Sequence, residues 1–430
     1  MKPIAVAFFL LMSGWVSVSA APMHVSLTTV MKLAGANHDE IELARVKHGE
    51  AIAESQQAWQ RFWPTLSLAA GYRGHEGRVQ DIAGAVFDAR KQQYTVGTSV
   101  MIDWSPGDLY YSALAARQKA LAAGQLAEKA RRDTVQEAVG RYYDLLAAEA
   151  DMAILAEDLR LTEDYAKLLD GAVTAGTAFR ADLLRVKTQV SRSRIGVRQG
   201  EEKRDLAAAA LAESLRLAPE TELRPAKADL APVRLVETRG MATLISLAGQ
   251  NRPELKAVAA AHMAASLESD RTRVAPLIPN VQAGYSVGGL GGGYAGEFGN
   301  FNDQQDFFVG LGWKIGPGGL FDRTRQKIAE AREQSVVLQT GQVKAAIGRE
   351  VVEAALKARS AQDQLAINDE AAAAAEEMVK LARERQASQI GVVLEYLLAR
   401  EELTRARRDR VQSVTGFNKA QHELKRAVGK

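Results

Sequence analysis

The segment Asp306–Asp322 has the sequence DFFVGLGWKIGPGGLFD, in which two structural patterns meet at a Pro/Gly turn. Up to Ile315, every second residue is a large apolar one, which is the period of a strand with one apolar face. Gly316–Gly319 breaks this alternation, and beyond Leu320 the chain is rich in Ala, Gln, Glu, Arg and Lys at helical spacing. We therefore predict a strand that is coupled to a very long helix through this turn.

The same junction occurs earlier in the chain. Tyr94–Trp104 alternates in the same way and is followed by a second Pro/Gly turn and another long helical segment. Pro106 and Pro317 are 211 residues apart, and so are Leu109 and Leu320. This constant offset indicates an internal duplication.

The composition narrows the class of protein. The chain has 430 residues with a formal net charge of +3, a balance that does not favour nucleic acid as a partner. It contains no cysteine, which excludes disulfides, thiolate chemistry and Cys-type metal sites. Its histidines lack the spacing of a paired metal site, and they are His24, His38, His48, His75, His262 and His422. We predict no catalytic activity, no cofactor and no metal site.

The N-terminus has the pattern of a secretory signal peptide. Lys2 supplies a positive charge, Ile4–Val16 is mostly apolar, and small residues allow cleavage after Ala20 or Ala21. The alternative is a membrane anchor, but the apolar run is shorter than the ~20 residues that a spanning helix needs. Because no cysteine follows the cleavage site, we expect no N-terminal lipid anchor of the bacterial lipoprotein kind.

The rest of the chain is predicted as two repeats, each with a helix, a β-hairpin and a long helical hairpin. The breaks of the helical hairpins are Gly171–Ala178 and Ala387–Val392, and the loops of the β-hairpins are Gly74–Gln93 and Gly288–Asn302. The predicted boundaries are 1–20 for the signal peptide, 21–218 for the first repeat (β-hairpin 65–104, helical hairpin 109–217), 219–239 for a linker, and 240–430 for the second repeat (β-hairpin 280–315, helical hairpin 320–428).

The helical segments are predicted to pack laterally, as in a coiled coil. One seam has residues spaced alternately four and three apart, and its members are Ile347, Val351, Ala354, Ala358, Ala361 and Leu365. The shorter helix of each repeat is predicted over Val25–Phe62 and Gly240–Val274.

Four strands with one apolar and one small or polar face are typical of a transmembrane β-barrel. Tryptophans lie near their ends, as in the aromatic girdles at membrane interfaces, and these are Trp59, Trp63, Trp104 and Trp313. A soluble sandwich is the alternative. Four strands cannot close a barrel, and open edges are not tolerated in lipid. If the strands span a membrane, several chains must share one barrel, and three chains would supply twelve strands.

These features together resemble the TolC family of outer-membrane channel proteins. The resemblance covers both repeats after the signal peptide and rests on the order of several short motifs. They are Asn251–Ala257 (NRPELKA), the strand entries Pro64 to Tyr72 and Pro279 to Tyr285, Pro317–Asp322 (PGGLFD), and the tip-like segments Gly176–Leu184 (GTAFRADLL) and Ile390–Ala399 (IGVVLEYLLA).

The resemblance implies a mainly α fold with a small β part, in which duplicated helical hairpins form an α-barrel and a homotrimer shares a 12-stranded β-barrel in outer-membrane lipid. It also implies a passive exit channel whose helical part crosses the periplasm and docks on a periplasmic adaptor (membrane fusion protein) and an inner-membrane transporter. The adaptor would contact the helical tips, for which the candidates are Gly176, Thr177, Ala178, Gln389, Ile390 and Gly391.

The family pattern of acidic residues at the tunnel mouth falls on Glu395, while Leu398 occupies the second acidic position. The first repeat offers Asp182 at the corresponding place. Arg185 and Arg400 lie beside the two breaks, where they either bridge hairpins at the mouth or belong to solvated helix faces. The alternative function is a periplasmic coiled-coil scaffold or adaptor that does not enter the membrane. The sequence does not indicate whether the cargo is a drug, a metal ion or a protein.

Overall fold

The computed structural model describes residues 22–36, 38–218, 220–226, 230–238, 240–294, 299–388 and 392–430. Within these ranges the protein is mainly helical with a small β part, which confirms the predicted fold class. The helices are α1 (Leu27–Ala34), α2 (Asp39–Gln60), α3 (Pro106–Thr174), α4 (Arg180–Ser214), α5 (Met241–Asn251), α6 (Pro253–Val274), α7 (Arg323–Ala387) and α8 (Val393–Ala427). The strands are β1 (Met23–Val25), β2 (Thr65–Gln80), β3 (Val86–Trp104), β4 (Leu223–Pro225), β5 (Asn280–Tyr294) and β6 (Asn302–Gly312).

Four of the strands form one antiparallel sheet in the order β2-β3-β5-β6. Because successive residues of a strand point to opposite sides, two neighbouring rows of paired residues define an apolar face and a polar face. The row on the apolar face consists of Leu66, Val100, Tyr285 and Phe307. The neighbouring row on the polar face consists of Ser67, Ser99, Ser286 and Asp306. Two cavities, of ≈ 210 and ≈ 730 Å³, are lined mainly from the polar face, so this face is the concave one.

The strands are longer than the sequence predicts. The loop expected over Gly74–Gln93 is wrong for most of its length, because β2 and β3 stay paired as far as Gln80 and Val86. This part of the hairpin lacks apolar alternation and instead carries cross-strand ion pairs, Arg90 with Glu76 at 3.0 Å and Arg78 with Asp88 at 3.9 Å. The loop expected over Gly288–Asn302 is likewise wrong up to Tyr294, where β5 ends.

Both of the shorter predicted helices are interrupted. The expected Val25–Phe62 helix is replaced by β1, α1 and α2, and β1 pairs in parallel with β4, a strand inside the predicted linker. The expected Gly240–Val274 helix divides into α5 and α6 at Arg252, whose backbone is extended (φ −70°, ψ 124°) because the next residue is Pro253. Within the described residues, no helix combines the length and the hydrophobicity of a membrane-spanning segment.

The two strand-to-helix junctions share their sequence offset but not their conformation. In the first, α3 begins directly at Pro106, which suits the first position of a helix. In the second, the strand ends at Gly312 rather than Ile315, and α7 begins only at Arg323. Asp322 caps this helix, since its carboxylate accepts hydrogen bonds from the backbone N–H groups of Arg325 (3.0 Å) and Gly318 (2.7 Å).

The described chain divides into two compact units, and each combines segments of both predicted repeats. Unit A comprises the described residues of 1–38, 133–238 and 354–425, and unit B those of 39–132, 239–353 and 426–430. The core of unit A is built from α1, α3, α4, β1 and β4, and its fully buried members include Val25, Val30, Val139, Leu145, Leu211 and Leu223. Unit B contains the four-stranded sheet, and there Asp108 of α3 accepts hydrogen bonds from Arg271 of α6 (2.8 Å) and Arg325 of α7 (3.5 Å).

The heptad seam predicted in the second repeat is confirmed as a row of buried side chains in α7. Its buried members are Ile347, Val351, Ala354, Ala358 and Leu365, and Ala361 is partly buried against Leu365 and Phe417. Because several of these positions are alanine, neighbouring helices can approach α7 closely.

Candidate functional site

The first predicted tip is a glycine-closed helix end in unit A. Gly176 adopts φ +74°, and its N–H donates to Val173 O at 3.0 Å. The N–H of Thr177 reaches Ala172 O at 2.9 Å, which completes the pair of reversed bonds that define a Schellman motif. Only glycine takes this backbone conformation without strain, so Gly176 fixes the place where α3 ends and α4 can return.

The second predicted tip is described only at its flanks. The candidates Gln389, Ile390 and Gly391 lie outside the described residues. On either side of them, Arg385 in the last turn of α7 contacts Glu395 in the first turn of α8 at 2.7 Å. Each of these charges also complements the dipole of its own helix, so the pair stabilises both helix ends.

The two helical hairpins pack against each other next to their tips. Buried Leu169, Leu183 and Val186 of the first hairpin contact Val393 and Leu397 of the second, and Ala178 joins the same cluster. The site that the sequence distributes over two repeats is therefore one apolar cluster within unit A.

Polar contacts reinforce this cluster. The ring of Tyr165 on α3 lies 4.9 Å, centroid to centroid, from that of Tyr396 on α8. The phenol oxygen of Tyr165 accepts a hydrogen bond from Gln386 of α7. Burial raises the pKa of Tyr165, and the hydrogen bond from Gln386 opposes this effect.

The two acidic mouth candidates each contact an arginine. Asp182 contacts Arg185 at 3.1 Å within α4, and Glu395 contacts Arg385 across the second hairpin. Each carboxylate is therefore paired with an arginine of its own hairpin. The side chains of Asp182 and Glu395 are partly exposed, at 26% and 36%.

Arg400 lies in a different environment from the other candidates, because its side chain is only 9% exposed. One of its terminal nitrogens donates to Asp158 of α3, to the carboxylate at 2.9 Å and to the backbone carbonyl at 3.2 Å. The same carboxylate accepts hydrogen bonds from Ser193 of α4 (2.7 Å) and Thr404 of α8 (3.2 Å). Arg400 is thus a bridge between the two hairpins and not part of a solvated face.

A second bridge of the same kind lies further along the same two helices. Asp151 of α3 is 4% exposed and accepts a hydrogen bond from Arg408 of α8 at 3.0 Å. From the Asp151–Arg408 bridge to the Asp158–Arg400 bridge, α3 advances by seven residues while α8 runs back by eight. The two helices are therefore antiparallel neighbours. Sequence reasoning missed both aspartates. Their spacing of seven residues places them on one side of α3, but this spacing alone does not tell a buried aspartate from a solvated one.

A third buried polar group lies near the end of α8. Asn418 exchanges hydrogen bonds with the extended segment before α5, accepting from Val233 N–H (2.7 Å) and donating to Ala231 O (2.9 Å). Gln421 accepts from the N–H groups of both Leu235 and Val236 at 3.0 Å. Part of the predicted linker is therefore held against α8 by side chains that the sequence pattern does not single out.

The four tryptophans lie in unit B, near the ends of the sheet strands next to the helices. Trp59 stacks on Phe62 in the last turn of α2, with ring centroids 5.5 Å apart, and Trp63 is 76% exposed. Trp104 ends β3 on the apolar face, and Trp313 follows β6 and donates its indole N–H to Leu277 O at 3.1 Å. Within the described ranges no three His, Asp or Glu side chains are arranged to hold a metal ion.

Comparison with known proteins gives a family match for part of the chain. Residues 244–430 match the family model described as outer membrane efflux protein. Protein CyaE of Bordetella pertussis is 27% identical over 230 residues, which cover 54% of this chain and 47% of that protein, so the match spans about half of the relative's length.

Solved structures agree with this match at the level of the fold. A membrane protein from Pseudomonas aeruginosa aligns with a TM-score of 0.78 at 22% identity, over 94% of this chain and 93% of its own. The outer membrane protein VceC from Vibrio cholerae aligns with a TM-score of 0.77 at 18% identity, over 94% of this chain and 96% of its own. The chain therefore matches the outer membrane efflux protein family model over residues 244–430, and its described residues adopt the fold of these solved membrane-protein structures.

Proposed function

We propose that this protein is the outer-membrane exit channel of a tripartite efflux or secretion system. It acts as a passive homotrimeric conduit, with its β-sheet in the outer membrane and its helices in the periplasm. The helical tips dock on a periplasmic adaptor that is joined to an inner-membrane pump. The family match and the likeness to the outer membrane protein VceC support the location in the outer membrane and a role in efflux.

The observation that carries this proposal is the sheet. Its apolar face continues across all four strands through Leu66, Val100, Tyr285 and Phe307. Each of these side chains is at least 36% exposed in the single chain. A continuous exposed apolar surface of this kind needs a cover. Lipid is the cover that suits a sheet whose other face is polar.

The edges of the sheet explain why several chains are needed. Within the described residues, β2 and β6 each pair with one neighbour and leave the other side open. Open edges in lipid leave backbone N–H and C=O groups without partners, at several kcal/mol each. Pairing of β2 with β6 of the next chain removes these edges, and three copies give twelve strands, enough to enclose a lumen.

The predicted site residues take roles within this proposal. Asp182, Arg185, Glu395 and Arg400 belong to the narrow end of the helical tunnel. Gly176, Thr177 and Ala178, together with Gln389, Ile390 and Gly391, form the adaptor-docking tips. The packing of Val393 and Leu397 against Leu169 supports a single docking end built from both hairpins.

The predicted interface tryptophans would lie at the periplasmic boundary between outer-membrane lipid and water. Their places beside the helices support this assignment for Trp59, Trp63, Trp104 and Trp313. The division into repeats at 21–218 and 240–430 is supported by the matching order of hairpins in the two halves.

Disulfide crosslinking tests the shared barrel, since the chain has no cysteine of its own. Single cysteines at Leu66, Leu68 or Ala70 of β2 are combined in turn with single cysteines at Phe307, Val309 or Leu311 of β6. We expect at least one combination to give covalent trimers in isolated outer membranes. In the control Thr98→Cys/Val287→Cys the two residues are partners within one chain, so it should give no increase in mass. Monomers in every β2–β6 combination, together with release of the protein by alkaline washing, would instead support a periplasmic scaffold.

A further inference from the structure

The far end of the sheet, where β2 turns into β3, carries a basic cluster on the polar face. Arg73 and His75 lie on β2, and Lys91 on β3 is the direct cross-strand partner of His75. These three side chains line a cavity of ≈ 730 Å³ together with Phe87 and Tyr294. All three side chains are exposed on the concave side of the sheet, where Arg73 and Lys91 carry positive charges.

Within the part of the chain that the structure describes, no neighbouring carboxylate neutralises the cluster. Among the described residues, no acidic side chain lines the cavity, and neither Arg73 nor Lys91 forms an ion pair. Arg90, a further basic residue at the cavity, is different because it contacts Glu76 at 3.0 Å. The described lining of the cavity therefore carries a net positive charge.

The charge of the polar face changes along the strands. Asp103 and Asp306 lie on this face closer to the helices, and each accepts a hydrogen bond from a glutamine, Gln282 (3.4 Å) and Gln304 (2.7 Å) respectively. A solute that moves along this face away from the helices would pass from an acidic to a basic section.

We propose that the cavity around Arg73, His75 and Lys91 is an anion-binding site at the outer exit of the channel, which takes solutes with phosphate, sulfate or several carboxylate groups. This inference rests on the proposed channel, in which the concave face lines the lumen. Guanidinium and ammonium groups are the side chains that bind such oxyanions. Rings of Arg and Lys confer anion preference on pores, and three chains would repeat the cluster around one lumen.

The site is placed for soluble anions rather than for lipid phosphates. Its side chains lie on the face opposite to Leu66 and Phe307, which the proposed barrel turns towards lipid. Basic groups on the lipid-facing side at this height, such as Arg78, are instead paired with a cross-strand carboxylate, Asp88.

Channel block by inorganic tripolyphosphate tests the site. The purified protein is reconstituted in a planar bilayer, and tripolyphosphate is added to either side at low ionic strength, where charge attraction is least screened. We expect block from one side, weakened on the order of tenfold in Arg73→Gln/Lys91→Gln, because two unscreened charges are lost. Arg78→Gln is the matched control and should be blocked like the wild type. Arg73→Lys/Lys91→Arg keeps both charges and should also be blocked.

Binding measured without conduction separates this inference from the proposed channel. Calorimetric titration of the detergent-extracted protein with tripolyphosphate should show heat that is lost in Arg73→Gln/Lys91→Gln and retained in Arg78→Gln. Conducting channels with equal block in the double variant and the wild type would overturn the anion site and leave the channel intact. Tripolyphosphate binding without any conductance would support the basic cavity as an anion site and count against the channel.

Discussion

Arg400 on α8 contacts Asp158 on α3 at 2.9 Å, and its other terminal nitrogen is buried without a hydrogen-bond partner. Both side chains are largely withdrawn from solvent, at 9% and 14% exposure. An ion pair in this environment joins the two hairpins only while both partners are present, because either charge alone would be buried and unpaired.

Removal of one partner should therefore destabilise unit A strongly. We expect Arg400→Gln or Asp158→Asn to lower the free energy of unfolding by about 3 kcal/mol, the size found when one member of a buried pair is removed. Denaturant unfolding followed by circular dichroism measures this difference. Arg405→Gln is the control on the same helix, because Arg405 is 71% exposed and its contact with Glu402 is 3.9 Å. Equal loss of stability in Arg400→Gln and Arg405→Gln would contradict the bridge.

The stability of unit A should also depend on His422. Burial, together with the nearby charge of Lys425, lowers the pKa of His422 to about 4 from 6.5. Between pH 6.5 and pH 4 the unfolded chain binds a proton at this histidine and the folded chain does not, so stability falls as the pH falls through this window. Above pH 6.5 the protonation of His422 costs no stability, and by pH 4 it lowers the free energy of unfolding by at most about 3 kcal/mol.

His422→Gln removes this pH dependence if the assignment is correct. Unfolding free energies at pH 7 and pH 4.5 should differ less in His422→Gln than in the wild type. His24→Gln, which changes an exposed histidine, should keep the wild-type difference. An unchanged pH dependence in His422→Gln would show that other groups cause it.

Two glycine-to-alanine substitutions at the first tip should change stability in opposite directions. Gly176→Ala should destabilise the turn by about 1 kcal/mol, because alanine at φ +74° is strained although no atom lies within 4 Å of the new methyl group. Gly171→Ala, in the helix just before, also meets no atom and should stabilise α3 by about 0.5–1 kcal/mol. Hydrogen exchange of the Thr177 amide should accelerate in the first variant and slow down in the second. The same direction of change in both would refute this assignment.

Glu395 and Arg385 should act with opposite signs on ion selectivity if they line the tunnel mouth. Their contact at 2.7 Å partly compensates both charges, so each single substitution exposes the charge of the other. We expect Glu395→Gln to shift the reversal potential in a KCl gradient towards anion preference and Arg385→Gln to shift it towards cation preference. Reversal potentials that stay at the wild-type value in both variants would place the pair away from the permeation path.

The parts of the fold that a local period encodes were predictable. The alternation of Tyr94–Trp104 located β3, and the heptad seam from Ile347 onward located the buried side of α7. The extension of β2 to Gln80 was missed because backbone pairing and ion pairs hold it, without any apolar alternation. The pairing of β1 with β4 joins three-residue strands 200 positions apart, and such short segments carry no period.

The candidate site shows the same limit. Gly176 was found because a glycine between two long helical segments indicates a turn. The partners of Arg400 and Arg408 were not found, because an aspartate in a long charged helix looks the same in sequence whether it is solvated or buried. Only the tertiary packing of α3 against α8 distinguishes Asp151 and Asp158 from their exposed neighbours.

The mass of the detergent-extracted protein, measured by light scattering with the detergent subtracted and paired with conductance in a planar bilayer, tests the shared barrel most directly. The proposed channel predicts three chains per particle and voltage-dependent conductance. A monomer that stays soluble without detergent and produces no conductance would contradict it.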